Sequence, residues 1–228
     1  MRNGAQMILT FHRSRIRAVA LLCLLLVGAG AHARGAKVTA EPIPDATWAY
    51  MQGRSWRAEL PCPGREQLVL LKVPYLDFDG NSQTGSLIVA RSAAKAVAAA
   101  FQEIYDSGKF QIYRISLIDE FDGDDARSMA ANNTSAFNCR TTDRGAMSRH
   151  AYGMAVDINP VQNPYREGNL TEPEAGRAYD ETRERRSDIV GIIFDGDVVT
   201  RAFARQGWCW GGRWKRSVDY QHFSNDGH

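Results

Sequence analysis

The chain has 228 residues, 44% of them hydrophobic, and a formal net charge of +2 from 28 basic and 26 acidic groups. That length suits one domain with a real core. The near balance of charge excludes a strongly basic surface, so no nucleic-acid partner is expected.

The first segment differs from the rest. No Asp or Glu precedes Glu41, and Arg13, Arg15 and Arg17 form a basic cluster ahead of the apolar run Ala18–Val27. Small residues follow, ending in Ala31-His32-Ala33. A charged start, a short apolar run and small residues predict a secretory signal peptide over 1–33. The run falls short of the about 20 apolar residues a transmembrane helix needs. An uncleaved N-terminal anchor is the alternative. Leu22 stands where a lipidated Cys23 would need a small residue. The expected location is secreted or periplasmic, with no membrane association after cleavage. Cleavage removes four arginines and leaves 24 basic against 26 acidic groups, so +2 becomes −2. The sequence pI near 8.4 belongs to the precursor. Cys62, Cys139 and Cys209 remain, which allows one bridge in any of three pairings, or none.

Residues 34–66, rich in Pro, Ala and polar groups, read as an N-terminal extension draped over a domain at 67–228. Leu68–Val73 and Gly85–Val89 are strand-like and flank the turn Asp77–Asn81, which predicts a hairpin. Asp77, Asp79 and Asn81 lack the acidic closing position of a calcium loop. Ser92 can cap a helix over about Ala93–Tyr105, with Val97, Phe101 and Ile104 on one face. Gln111–Leu117 alternates like a strand, and Asp119–Asp125 is an acidic cluster that reads as solvated surface. Met154–Asn159 is a strand candidate, and 163–188 a polar loop or insertion able to wall a cleft. Val198–Gln206 reads as a helix stopped by Gly207, followed by the aromatic stretch Trp208–Trp214 and a last strand at Tyr220–Ser224. Trp208, Trp210 and Trp214 are expected to pack in the core, with lining of a cleft as the alternative. Without regular βαβ alternation, the fold class is α+β.

His150 and His222 are the only interior histidines once His12 and His32 leave with the signal and His228 is set aside as terminal. Each lies near an acid, in Ser148-Arg-His150-Ala-Tyr-Gly153-Met-Ala155-Val-Asp157 and in Asp219-Tyr-Gln-His222. Neutral imidazole and carboxylate suit Zn²⁺, and a catalytic site keeps three protein ligands and an open position. A strand at Met154–Asn159 would put Met154, Val156 and Ile158 on the core face and Asp157 on the other. His150, Asp157 and His222 are therefore the metal candidates, one zinc per chain. Asp219, three residues before His222, is the candidate general base. Arg140 is a candidate partner for a substrate carboxylate or a developing oxyanion, with a structural ion-pair role as the alternative. Ser148 either hydrogen-bonds near a ligand or closes a turn.

Ser148-x-His150-x-x-Gly153-x-Ala155-x-Asp157 together with Asp219-x-x-His222 resembles the VanY-type zinc peptidases. That family includes D-Ala-D-Ala carboxypeptidases and the L-alanyl-D-glutamate endopeptidases of phage endolysins. The likeness runs from about Val73 to Ser224, through Asn132–Arg140 and the Trp210-Gly-Gly-x-Trp214 stretch. The resemblance implies a small antiparallel sheet with helices packed against it, the Hedgehog/DD-peptidase-like zinc peptidase fold. It also implies zinc on His150, Asp157 and His222, Asp219 as base, Arg140 on the substrate, and a peptidoglycan peptide as substrate. Two other readings stand beside it: a non-catalytic wall-binding module with a structural zinc, and a thiol hydrolase pairing Cys139 with His150.

Overall fold

The computed structural model describes Met1 and residues 35–142, 144–181 and 185–227. The expected signal segment at 1–33 lies outside the described residues, Met1 apart. Among the described residues no helix is long and apolar enough to cross a membrane. The class is α+β, with small sheets that are mostly antiparallel and a few helices.

The hairpin of β2 (Leu68–Leu76) and β3 (Ser82–Ala90) forms as expected, but both strands run longer than the apolar runs alone suggest. Its turn is closed by Asp77, whose Oδ1 accepts from the Asp79 and Asn81 backbone N–H groups at 3.0 and 2.8 Å. β1 (Thr39–Glu41) pairs with the other edge of β2, setting Thr39 opposite Lys72. The sheet separates two cores, because alternate residues face opposite sides. Val69, Leu71, Val73, Leu87 and Val89 join the larger core. Leu68, Leu70 and Ile88 join a smaller one with Ile43, Met51, Phe137 and Cys139. Burial on both faces explains why β2 reads as a continuous apolar run. Residues 35–66 also carry α1 (Asp45–Met51), and Cys62 is bonded to Cys139 with Cα atoms 6.0 Å apart. Cys209 is the free, exposed thiol.

In the larger core, α2 (Ala94–Ser107) buries Val97, Phe101 and Ile104, the expected helical stripe. α4 (Val198–Arg205) packs against it, and Phe203 meets Phe101 edge-on at 5.8 Å. Phe203 also stacks on Phe223 at 4.4 Å, which ties the helices to the strand that carries His222. Ser92 does not cap α2. The helix begins at Ala94 without a side-chain cap, and the Ser92 hydroxyl points to Met154 Sδ at 3.8 Å.

Three further expectations change. Of Gln111–Leu117 only β4 (Arg114–Ile115) is strand, pairing in parallel with β5 (Asn133–Thr134). The rest is held piecemeal: Ile112 N–H donates to Leu76 O at 2.7 Å, Asn159 Oδ1 accepts from Tyr113 N–H at 2.9 Å, and Asn159 Nδ2 donates to Gln111 O at 2.9 Å. The polar 163–188 segment contains a hairpin, β7 (Tyr165–Glu167) and β8 (Leu170–Glu172), and a 3₁₀ turn at Glu174–Tyr179. The last strand is broken in two. β10 (Val218–Asp219) pairs with β7, whereas β11 (His222–Ser224) sits between β6 (Ala155–Asp157) and β9 (Cys209–Trp210). Tyr220 and Gln221 make the crossover: Tyr220 N–H donates to Pro164 O, and Gln221 O accepts from Ile158 N–H at 3.0 Å.

Candidate metal centre and its surroundings

Two strands and one 3₁₀ turn bring the candidate ligands together. β6 and β11 run antiparallel with Asp157 directly opposite His222, so neighbouring backbone positions deliver both side chains to one spot. Val156 and Ile158 face the larger core as expected, but Ala155, Asp157 and Asn159 are buried as well. His150 arrives from the turn Arg149–Tyr152. Ser148 starts that turn, its hydroxyl accepting from the His150 backbone N–H at 3.3 Å. Ser148 thus acts on the His150 main chain. Gly153 ends the turn at φ 66°, where a Cβ would lie 2.4 Å from Ala90 N. A side chain is excluded there by both conformation and space.

His150, Asp157 and His222 are all buried, and their ligand atoms lie within 4.8 Å of one another. His150 Nε2 is 3.1 Å from Asp157 Oδ2 and 3.3 Å from His222 Nδ1, while His222 Nδ1 is 3.0 Å from Asp157 Oδ1. A tetrahedral metal with bonds of about 2.0–2.1 Å separates its ligand atoms by about 3.3 Å, so these spacings suit a shared ion. His150 Nδ1 meets Ala136 O at 2.6 Å. Donation to that carbonyl assigns the proton to Nδ1 and turns the Nε2 lone pair toward the other two donors.

The electrostatics point the same way. Burial alone would raise the Asp157 carboxyl, yet the two imidazoles hold it far below the ordinary carboxylate range. Burial alone would lower His150, yet the Asp157 charge and hydrogen bond outweigh it and raise the imidazole. A buried carboxylate beside two imidazoles is a donor set that suits a cation. The three side chains could hold a metal ion.

Asp219 lies beside this cluster on β10, opposite Tyr165 of β7. The residue is only half-buried, but its Oδ1 is sealed from solvent with no hydrogen-bond partner among the described residues. Burial, reinforced by Asp157 and Asp125 and opposed by His222 and Arg140, pushes its carboxyl up to about 7. Gly211 packs against both groups: a Cβ there would come 2.7 Å from Asp219 O and 3.3 Å from His222 Cβ.

Arg140 joins the same neighbourhood, its charge felt by both His150 and Asp219. Its Nη2 lies 2.6 Å from Asp125 Oδ2, and its Nε is buried without a hydrogen-bond partner among the described residues. Cys139, the residue before it, is in the disulfide, so it is no thiol nucleophile here. That removes the thiol-hydrolase reading.

Residues 141–225 match a family model described as D-alanyl-D-alanine carboxypeptidase. The match agrees with the VanY-type resemblance noted in the sequence, over that stretch. It holds His150, Asp157, Asp219 and His222, and it begins one residue after Arg140. No curated protein and no solved structure matches the chain.

Two neighbours of the candidate site were not expected. Asp125 sits in the acidic run read as solvated surface, and no sequence spacing links it to Arg140. Trp214 was expected in the core, but its ring lies 5.3 Å from that of His222. Trp208 and Trp210 are core residues as expected.

Proposed function

We propose that the chain is a secreted zinc peptidase that hydrolyses peptidoglycan stem peptides, at a terminal D-Ala-D-Ala or between L-Ala and D-Glu. One observation carries this reading: a buried His150–Asp157–His222 cluster with converging donors stands beside Asp219, whose Oδ1 is sealed with no hydrogen-bond partner among the described residues. In this reading residues 1–33 are the secretory signal, 34–66 the extension and 67–228 a peptidase domain of the Hedgehog/DD-peptidase-like type.

His150 Nε2, His222 Nδ1 and one Asp157 oxygen would hold the zinc. Bound there, zinc polarises a carbonyl and makes water acidic enough to serve as a nucleophile near neutral pH. Asp219 takes the proton from the attacking water and returns it to the leaving amine. A carboxyl raised to about 7 is suited to both transfers, because neither form is strongly disfavoured at working pH. Ala136 O keeps the proton of His150 on Nδ1 throughout. Arg140 binds a substrate oxygen with its remaining N–H groups.

Digestion of purified peptidoglycan, with fragments identified by mass spectrometry, tests the reading. The expected result is release of D-Ala or of peptides cut after L-Ala, abolished by a chelator and restored by zinc. A zinc-loaded protein that leaves every muropeptide and D-Ala-D-Ala peptide intact would overturn it.

A further inference from the structure

The acidic run 119–125 resolves into separate partnerships. Asp119 accepts from the Ser55 backbone N–H at 3.1 Å, and Glu120 pairs with Arg114. Asp122 meets Arg127 at 2.9 Å and Arg54 at 3.5 Å. Asp124 caps α3 (Asp125–Ala130), accepting from Arg127 N–H at 3.0 Å. Asp125 turns instead toward the metal cluster, where it holds Arg140 Nη2 at 2.6 Å. Both side chains of that pair are about three-quarters covered, at 26% and 24% exposed.

The same helix face continues to the other flank of the site. Met129, one turn after Asp125, receives Gln221 Nε2 on its Sδ at 3.5 Å, and Gln221 lies between Asp219 and His222. The charge of Asp125 is felt at both His150 and Asp219. A guanidinium is a planar fork, so anchoring one Nη sets the direction of every other N–H. The Nε of Arg140 is a buried donor with no acceptor among the described residues, so the Asp125 contact at Nη2 is what anchors this guanidinium.

We infer that Asp125 is a positioning residue, which grips Nη2 of Arg140 and so aims the rest of the guanidinium at the substrate. The inference rests on the peptidase reading of the same site. Without Asp125 the long arginine side chain is free to leave the rotamer that serves the substrate, and the fork no longer arrives pre-aimed.

A double-mutant cycle on zinc-loaded protein tests it, with kcat and KM measured on a stem-peptide substrate. Asp125→Asn is expected to lower kcat/KM roughly tenfold in the wild-type background and less than about twofold in an Arg140→Ala background. Equal losses in both backgrounds, or no loss in the first, would overturn the proposal. Asp125→Glu, which keeps the charge, is expected to recover part of the activity, and an outcome no better than Asp125→Asn counts against it. A readout independent of turnover is the arginine Nε–H NMR signal assigned to Arg140 by its loss in Arg140→Ala. It is expected to exchange slowly in the wild type and to broaden or disappear in Asp125→Asn. An unchanged signal sinks the inference. If the wild type cleaves no stem peptide, the peptidase reading fails, and this signal still decides the role of Asp125.

Discussion

The two sides of the site are built differently. The metal side rests on paired strands, β6 against β11, whose register places Asp157 opposite His222 and whose Val156 and Phe223 are sealed in the larger core, and on the turn that carries His150. The Arg140 side has no such sheet. It is assembled from an irregular segment, the short helix α3, a disulfide and an ion pair. Strand register fixes donor atoms to a few tenths of an ångström, as a shared ion requires. Side-chain pairing leaves an adjustable group, which suits contact with a variable substrate. Loss of a metal-side residue should therefore abolish the site, and loss on the other side should only detune it.

The largest expected effect is at Asp157. Asp157→Ala removes the one anionic ligand, and zinc affinity is expected to fall roughly a thousandfold or more, with turnover lost in step. Metal content after dialysis against a weak chelator is the measurement. A variant that retains stoichiometric zinc would break the contrast at its root.

Next comes Asp219, which touches the chemistry without holding the metal. Asp219→Asn is expected to cost about 10²–10⁴ in kcat while zinc content stays at the wild-type level. The same change carries a stability signature in the metal-free protein. The folded carboxyl is raised to about 7, so between its unfolded value and about 7 the folded state binds more protons and stability falls as pH rises. The penalty is complete above about 7. At pH 8 the metal-free Asn variant should thus be more stable than wild type, by at most about 4 kcal/mol for a carboxyl moved from its ordinary value to about 7 and by less after solvent screening of a half-buried group, and the advantage should vanish toward pH 4. Thermal melts at the two pH values check both the sign and the window.

A smaller effect concerns protons competing for the metal side. His150 is raised by Asp157, so in acid its imidazole is protonated and must lose that proton before it binds metal. Zinc affinity is expected to fall as pH drops through the raised imidazole value, by up to about tenfold per pH unit for the one proton displaced. Competition with a chromophoric chelator at pH 8 and pH 6 measures it. A pH-independent affinity would mean that His150 is not a ligand.

The same division governs what could be read from the sequence. The metal side was legible because imidazoles are scarce here and each lies near an acid within one short segment. The β2–β3 hairpin and helices α2 and α4 were legible from apolar periodicity, which directly reflects which faces are buried. Asp125 was not legible, since an acid at a helix start ordinarily serves the helix itself and its partnership with Arg140 is purely tertiary. The strand overextended at Gln111–Leu117 failed for a similar reason: Ile112 and Ile115 are both buried, so burial does not alternate, and the Leu76 carbonyl and the Asn159 side chain supply what a neighbouring strand would have supplied. The hairpin β7–β8 hid because both its faces are polar or half-covered, leaving no apolar rhythm to read.

The disulfide offers the finest test of the contrast. It joins Cys62 to Cys139 across 77 residues and adjoins Arg140, while Arg57 Nη1 donates to Cys139 O at 3.0 Å from the same arm. Replacing both cysteines by serine releases a long loop in the unfolded chain, and a loss of about 2–4 kcal/mol is expected in denaturant melts. Zinc content should not change, because the bonds that tie this segment to the ligands, Asn138 N–H to His150 O at 3.1 Å and Ser135 N–H to Asp157 O at 3.0 Å, are made by the backbone and do not need the bridge. KM should rise by a factor of roughly three, because the segment carrying Arg140 loses one anchor but keeps the Asp125 ion pair and the Ser55 O to Cys139 N–H bond at 2.7 Å. If zinc is lost with the disulfide, the two sides are mechanically one unit, and the division into a rigid metal side and an adjustable substrate side does not hold.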